Sequence, residues 1–146
     1  MGTITTTVEL PYPVADVFRV ATRIGDLPRW MPEVVDAELL DPSLRVGSRV
    51  RLKLGPATGG AEITGTVKEL AEPFSLVIAG SGGPLKVNVR VLLASLDDAT
   101  TRITLELDLS APPFLGFIVK EAERRIDAEL PGAMERFRAL MDAESG

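Results

Sequence analysis

The sequence predicts an α+β fold: a curved antiparallel sheet of about seven strands, one or two short helices after the first strand, and a long C-terminal helix covering the sheet. Three observations carry this. Apolar and polar residues alternate with period 2 over segments spread between Thr3 and Leu109. A helical apolar stripe follows from Pro113 to Met141. The alternation in the last strand is clean, which marks an antiparallel sheet with one face solvated and the other in need of a cover.

The first strand runs from Thr3 to Leu10, with Ile4, Val8 and Leu10 on one face and Thr5, Thr7 and Glu9 on the other. Pro11 and Pro13 stop it. Val14, Val17, Phe18 and Ala21 then fall at helical intervals, with Asp16 in the favourable first turn and Gly25 as the expected end. Asp26 to Pro32 leaves room for one more turn before a strand from about Val34 to Leu40.

Further strands are read at Arg49 to Leu54, Ile63 to Leu70, Leu85 to Leu96 and Thr101 to Leu109. Val50, Leu52 and Leu54 face inward in the first of these, and Thr64, Thr66 and Lys68 outward in the second. Val87, Val89, Val91 and Leu93 share one face, as do Ile103, Leu105, Leu107 and Leu109. Asp97 to Thr100 forms the hairpin between the last two strands, and Glu72-Pro73, Gly55 to Gly60 and Gly80 to Pro84 read as loops. The final stripe is Leu115, Val119, Ala122, Ile126, Leu130, Ala133, Phe137 and Leu140, a helix of roughly 40 Å at 1.5 Å per residue. Pro131 removes one backbone donor and frees the Asp127 carbonyl, so a bend is expected there.

At 146 residues, with 45% hydrophobic and 25% charged, the chain fits one domain, 1–146. A net charge of −5 disfavours nucleic acid and anionic membrane surfaces. The sequence holds no cysteine and no histidine, which removes disulfides, Cys-His and Ser-His dyads and the commonest zinc ligands. No metal or cofactor is expected. No apolar stretch approaches the ~20 residues of a membrane-spanning helix, and no basic-then-apolar leader is visible, so no stable membrane insertion and a cytoplasmic location are expected. Met1-Gly2-Thr3-Ile4-Thr5-Thr6 fits a loose acylation pattern, but the strand reading of Ile4 to Leu10 is preferred.

Local patterns then coincide in order with a known family. Val8-Glu9-Leu10-Pro11-Tyr12-Pro13-Val14-Ala15-Asp16-Val17-Phe18 resembles its strand, proline-bounded turn and helix, with Phe18 where Trp is common. Trp30-Met31-Pro32-Glu33-Val34 is similar to its Trp-x-Pro segment. Val46-Gly47, Val67 to Pro73 and Thr100 to Thr104 resemble its recurring turns. The resemblance, over nearly the whole chain, is to the polyketide cyclase/dehydrase and lipid-transport group of the START-like, Bet v 1-like (SRPBCC) superfamily. It implies a helix-grip fold with a cavity between sheet and helix. It does not imply one activity, since one fold carries many functions.

The candidate lining of such a cavity is Phe18, Trp30, Val50, Leu52, Ile63, Val67, Val89, Val91, Leu105, Leu107, Val119, Ala122, Ile126 and Leu130. These positions are aliphatic or aromatic, so any space among them binds by apolar burial; a filled core is the competing reading. Trp30 either stacks on a planar ligand or packs under the second short helix, and packing is favoured. Tyr12 is read as a strand-end residue. Thr6 and Ser110 are expected to reach the interior, while Asn88, Arg90, Asp36, Glu38, Glu106 and Asp108 are expected outside. A phosphate-cradle reading of the glycine-rich loops fails, because Ala61 and Glu62 stand where a lysine and a hydroxyl would be needed. No acid/base pair emerges, and no catalytic residue is assigned.

Three functions follow. The first is binding or carriage of a hydrophobic small molecule such as a lipid, quinone or polyketide-like compound, by a monomer or a homodimer paired through an edge strand. The second is a polyketide cyclase or dehydratase. The third is an accessory role similar to the small subunit associated with carbon monoxide dehydrogenase, suggested by Lys53-Leu54-Gly55-Pro56 and a glycine-rich loop.

Overall fold

Seven antiparallel strands form one sheet in a computed structural model that describes residues 3–145. Met1 and Gly2, and with them the acylation pattern, lie outside the described residues. The strands are β1 (Thr3–Leu10), β2 (Val34–Leu39), β3 (Arg49–Leu54), β4 (Glu62–Ala71), β5 (Ser75–Gly82), β6 (Leu85–Asp97) and β7 (Thr100–Ser110). Their spatial order is β1-β7-β6-β5-β4-β3-β2. Strands β2 to β7 thus meander, and the first strand joins the last. Two helices complete the chain: α1 (Val14–Ala21), and α2 (Gly116–Ser145), the long C-terminal helix laid along the concave face of the curled sheet. This is the helix-grip arrangement.

Register follows from side-chain phase. Val87, Val89, Val91 and Leu93 of β6 oppose Leu109, Leu107, Leu105 and Ile103 of β7, so both apolar rows fall on the inner face. Every one of these eight residues is buried. On the outer face Arg90 reaches Glu106 at 2.8 Å and Asp108 at 2.8 Å, and Arg51 reaches Asp36 at 2.7 Å and Glu38 at 3.2 Å. Asn88 is half-buried on that face. The Arg51 guanidinium holds the Asp36 carboxyl below the usual carboxylate range. Such exposed pairs contribute at most about 1 kcal/mol each.

Two expected boundaries move. Gly25 does not end α1. Thr22 does, its Oγ1 donating to the Phe18 carbonyl at 2.8 Å, while Gly25 lies inside the 3-10 turn Ile24–Arg29. Gly80 to Gly82 are not loop residues but the last residues of β5, paired to β4 and β6. The reason is steric: a Cβ on Gly80 would lie 2.5 Å from the Thr64 carbonyl oxygen, and one on Gly82 would lie 2.0 Å from that of Glu62. Glycine is required because the backbones of β4 and β5 approach so closely where the sheet curls.

Ser110 is also displaced from expectation. It pairs with Lys86 and follows the outer phase of Asp108, one residue past inward Leu109. The buried hydroxyl of β7 is instead Thr101, whose Oγ1 donates to the Tyr12 carbonyl at 2.8 Å. Thr6 is half-buried.

The core is a continuous cluster drawn from the inner face, α1, the 3-10 turn and one stripe of α2: Val119, Ala122, Ile126, Leu130, Ala133, Met134, Phe137 and Met141. Leu115 and Leu140 are only half-buried, and Met134 and Met141 complete the stripe. Trp30 is fully buried and packs edge-on against Phe137, ring centroids 4.7 Å apart.

The two halves of α2 are held differently. Towards its C-terminus Arg136 donates to the Trp30 carbonyl, Arg138 to that of Glu9, Tyr12 to Asp142, and Arg23 to Glu144. From residue 116 to 131 the described side-chain bonds stay within the helix, between Glu121 and Arg124 or Arg125. Pro131, inside the helix, separates the two and has no N–H for the Asp127 carbonyl.

Candidate functional site

An apolar cavity of about 280 Å³ opens at one end of the grip, where the start of α2 passes over the glycine-containing end of β5. Leu115, Ile118, Val119 and Ala122 supply the helical wall, and Gly82, Pro84, Leu85 and Ala111 the sheet side. Ala61 and Thr58 close it from the loop that follows β3. Small side chains leave the space open: Ala61, Ala111 and Ala122 line it. Phe114, Phe117 and Ile118 at this end of the helix are exposed.

A second compartment of about 30 Å³ lies farther along the groove. Its walls continue those of the first by one structural repeat: Ile126 lies one turn beyond Ala122, Val87 two residues beyond Leu85, and Leu109 two residues before Ala111. Leu52, Leu54, Val89, Leu107 and Glu33 complete it with Met31, Pro32 and Val34. Glu33 is the sole charged residue among the described residues lining either compartment.

The loop between β3 and β4 builds the environment of Glu33. The Thr58 amide donates to Glu33 Oε2 at 2.7 Å, and the Gly55 amide to the Glu33 carbonyl at 2.9 Å. Burial raises the Glu33 pKa above the ordinary glutamate value; hydrogen bonds from Thr58 and Ala57 oppose the shift, and the charge of Glu129 adds to it. No basic side chain offsets the shift. Among the described residues no group of three or more His, Cys, Asp or Glu side chains is placed to hold a metal ion.

The expected lining residues divide into three sets. Val119 and Ala122 border the larger compartment. Leu52, Val89, Leu107 and Ile126 border the smaller. Phe18, Trp30, Val50, Ile63, Val67, Val91, Leu105 and Leu130 are buried but border neither, and pack the filled half of the interior beyond. Sequence reading did not single out Glu33, Thr58 or Gly82. An acidic residue before a strand has no period to mark it, and a glycine required by a neighbouring backbone looks the same as one that makes a turn.

The family described as polyketide cyclase / dehydrase and lipid transport matches residues 1–142. The chain belongs to this family. No curated protein matches it in sequence. Among solved structures, this family member is similar to a Thermus thermophilus protein at TM-score 0.75 and 16% identity, covering 99% of this chain and 100% of that one. It is similar to the Zhui aromatase/cyclase of a Streptomyces species at TM-score 0.72 and 14% identity, covering 99% and 96%. A START superfamily protein of Mycobacterium smegmatis matches at TM-score 0.66 and 18% identity, covering 92% and 97%. At these identities the likeness is one of fold. No helix among the described residues is long and apolar enough to cross a membrane.

Proposed function

We propose that the protein binds a small hydrophobic molecule between the sheet and the first half of α2, as a binder or carrier. The observation that carries this is the cavity of about 280 Å³, whose lining is apolar apart from Thr58. Its volume lies just below the roughly 300–1,000 Å³ usual for small-molecule sites, which favours a compact ligand such as a fused-ring aromatic over a two-chain lipid. Burial supplies affinity at about 25 cal/mol per Å².

Native mass spectrometry of the purified protein tests this, with titration of a fused-ring probe such as 1-naphthol. Ala122→Phe places a ring in the cavity from its helical wall; it should abolish binding while leaving the circular dichroism spectrum unchanged. A protein that takes up no such molecule would overturn the reading.

A second reading, a cyclase or dehydratase, is supported by one observation: Glu33, a carboxyl with a raised pKa beside the cavity. The fold likeness to the Streptomyces aromatase/cyclase points the same way. Proton transfer at two positions needs a second group, however, and the nearby Thr58 hydroxyl is engaged with the Gly55 carbonyl at 3.2 Å. Binding without turnover therefore fits better. The segment Lys53-Leu54-Gly55-Pro56 has a local role in the loop, Lys53 Nζ donating to the Gly60 carbonyl at 2.6 Å, and gives no support to an accessory role.

A further inference from the structure

Glu33 is the only non-glycine residue among the described residues with a positive φ, at 65°. A left-handed backbone costs a residue of this type about 1–3 kcal/mol and persists only where the surroundings impose it. Here they do. The Gly55 amide holds the Glu33 carbonyl and the Thr58 amide holds Oε2. Gly55 leaves the space the carboxyl needs, since a Cβ there would lie 2.8 Å from Oε1. The one hydrogen bond of good geometry at the carboxyl goes from the Thr58 amide to Oε2; the Ala57 amide and the Thr58 hydroxyl lie near enough to favour the charged form, and among the described residues none of good geometry reaches Oε1.

The position of the carboxyl matters as much as its strain. It sits in the wall of the smaller compartment, one hydrogen bond from Thr58, which lines the larger one. A ligand whose body fills the larger space lies against Thr58, whose amide is 2.7 Å from Glu33 Oε2.

We propose that Glu33 is the polar anchor of the ligand, Oε1 accepting a hydrogen bond from a hydroxyl, phenol or amine at the leading end of an otherwise apolar molecule. The proposal rests on the reading of the cavity as a binding site for a hydrophobic small molecule, and it narrows that class. Molecules with a carboxylate or phosphate at the leading end are excluded by repulsion from Glu33, reinforced by Glu129.

The test compares 1-naphthol with 1-methoxynaphthalene, which keeps the rings and the oxygen but has no donor, by calorimetric titration of the wild type, Glu33→Gln and Glu33→Ala. The wild type should prefer 1-naphthol by about tenfold, the scale of a hydrogen bond to a charged acceptor. Glu33→Gln keeps the bond from Thr58 through its amide oxygen and turns an N–H towards the ligand. It should bring the preference to within about twofold without weakening 1-methoxynaphthalene. Glu33→Ala should do the same if the loop stays folded, and Glu33→Gln carries the test if it does not. A preference unchanged in Glu33→Gln, an equal loss for both probes, or no preference in the wild type overturns the anchor and leaves the cavity reading standing. Binding of neither probe to the wild type overturns both.

Discussion

Two side chains show how differently the two ends of the interior are built. Phe137 is fully buried and meets Trp30 edge-on, in the part of the core that holds no compartment. Phe137→Ala should therefore lower unfolding free energy by roughly 3–5 kcal/mol in a urea titration, with little effect on probe binding. Glu33 is at the opposite extreme, a half-buried carboxyl whose pKa is raised chiefly by burial. The unfolded chain ionises it at a lower pH than the folded protein does, so between those two values the folded state holds more protons. There it loses stability as pH rises. Asp36, Asp41, Glu121 and Glu144, all shifted down by arginine partners, act in the reverse direction, so the signal of Glu33 is a difference. Above the ordinary glutamate range of about 4.3, Glu33→Gln should lose less stability than the wild type as pH rises. Parallel pH curves for the two proteins would contradict this.

At the scale of elements, β5 is the informative strand. Its inward Leu76 and Ile78 obey the alternation of its neighbours, but Gly80-Ser81-Gly82 has no apolar period and reads as a turn. The requirement for glycine comes from β4, a different segment, whose Glu62 and Thr64 carbonyls occupy the space a Cβ would take. Gly82→Ala should accordingly force the two backbones apart, destabilise by about 1–3 kcal/mol on the scale of overpacking, and alter probe binding, because Gly82 also borders the cavity. The other strands were legible because each carries its own alternation. β6 and β7 were recognisable down to their inward rows, Val87 to Leu93 and Ile103 to Leu109, and α2 down to six of its eight buried positions. The C-terminus of α1 was not, since the Thr22 hydroxyl took the capping role that a glycine four residues before Arg29 was expected to fill. The candidate site was legible only in part for the same reason. Periodicity identifies which side chains face inward, and all fourteen expected residues are buried, but where the inner side chains fail to meet depends on small residues contributed from three separate segments: Ala61 after β3, Ala111 after β7 and Ala122 in α2.

For the whole molecule, the consequence lies in how α2 is fastened. Polar ties join its second half to Glu9 of β1, Tyr12, Arg19 of α1, Arg23 and the Trp30 carbonyl, while among the described residues no side-chain hydrogen bond ties its first half to the sheet, and that half forms one wall of the cavity. With Pro131 between them, the helix is a lever clamped at one end and resting on grease at the other. The cheapest excursion is a swing of the loose arm away from the sheet, which widens the entrance without disturbing Trp30 or Phe137. Amide hydrogen exchange should reveal the asymmetry, residues 117 to 127 exchanging faster than 133 to 141, and the gap should narrow when 1-naphthol is bound. Uniform exchange along the helix would show instead that it moves as one body. Loading and release would then be a matter of leverage rather than of unfolding.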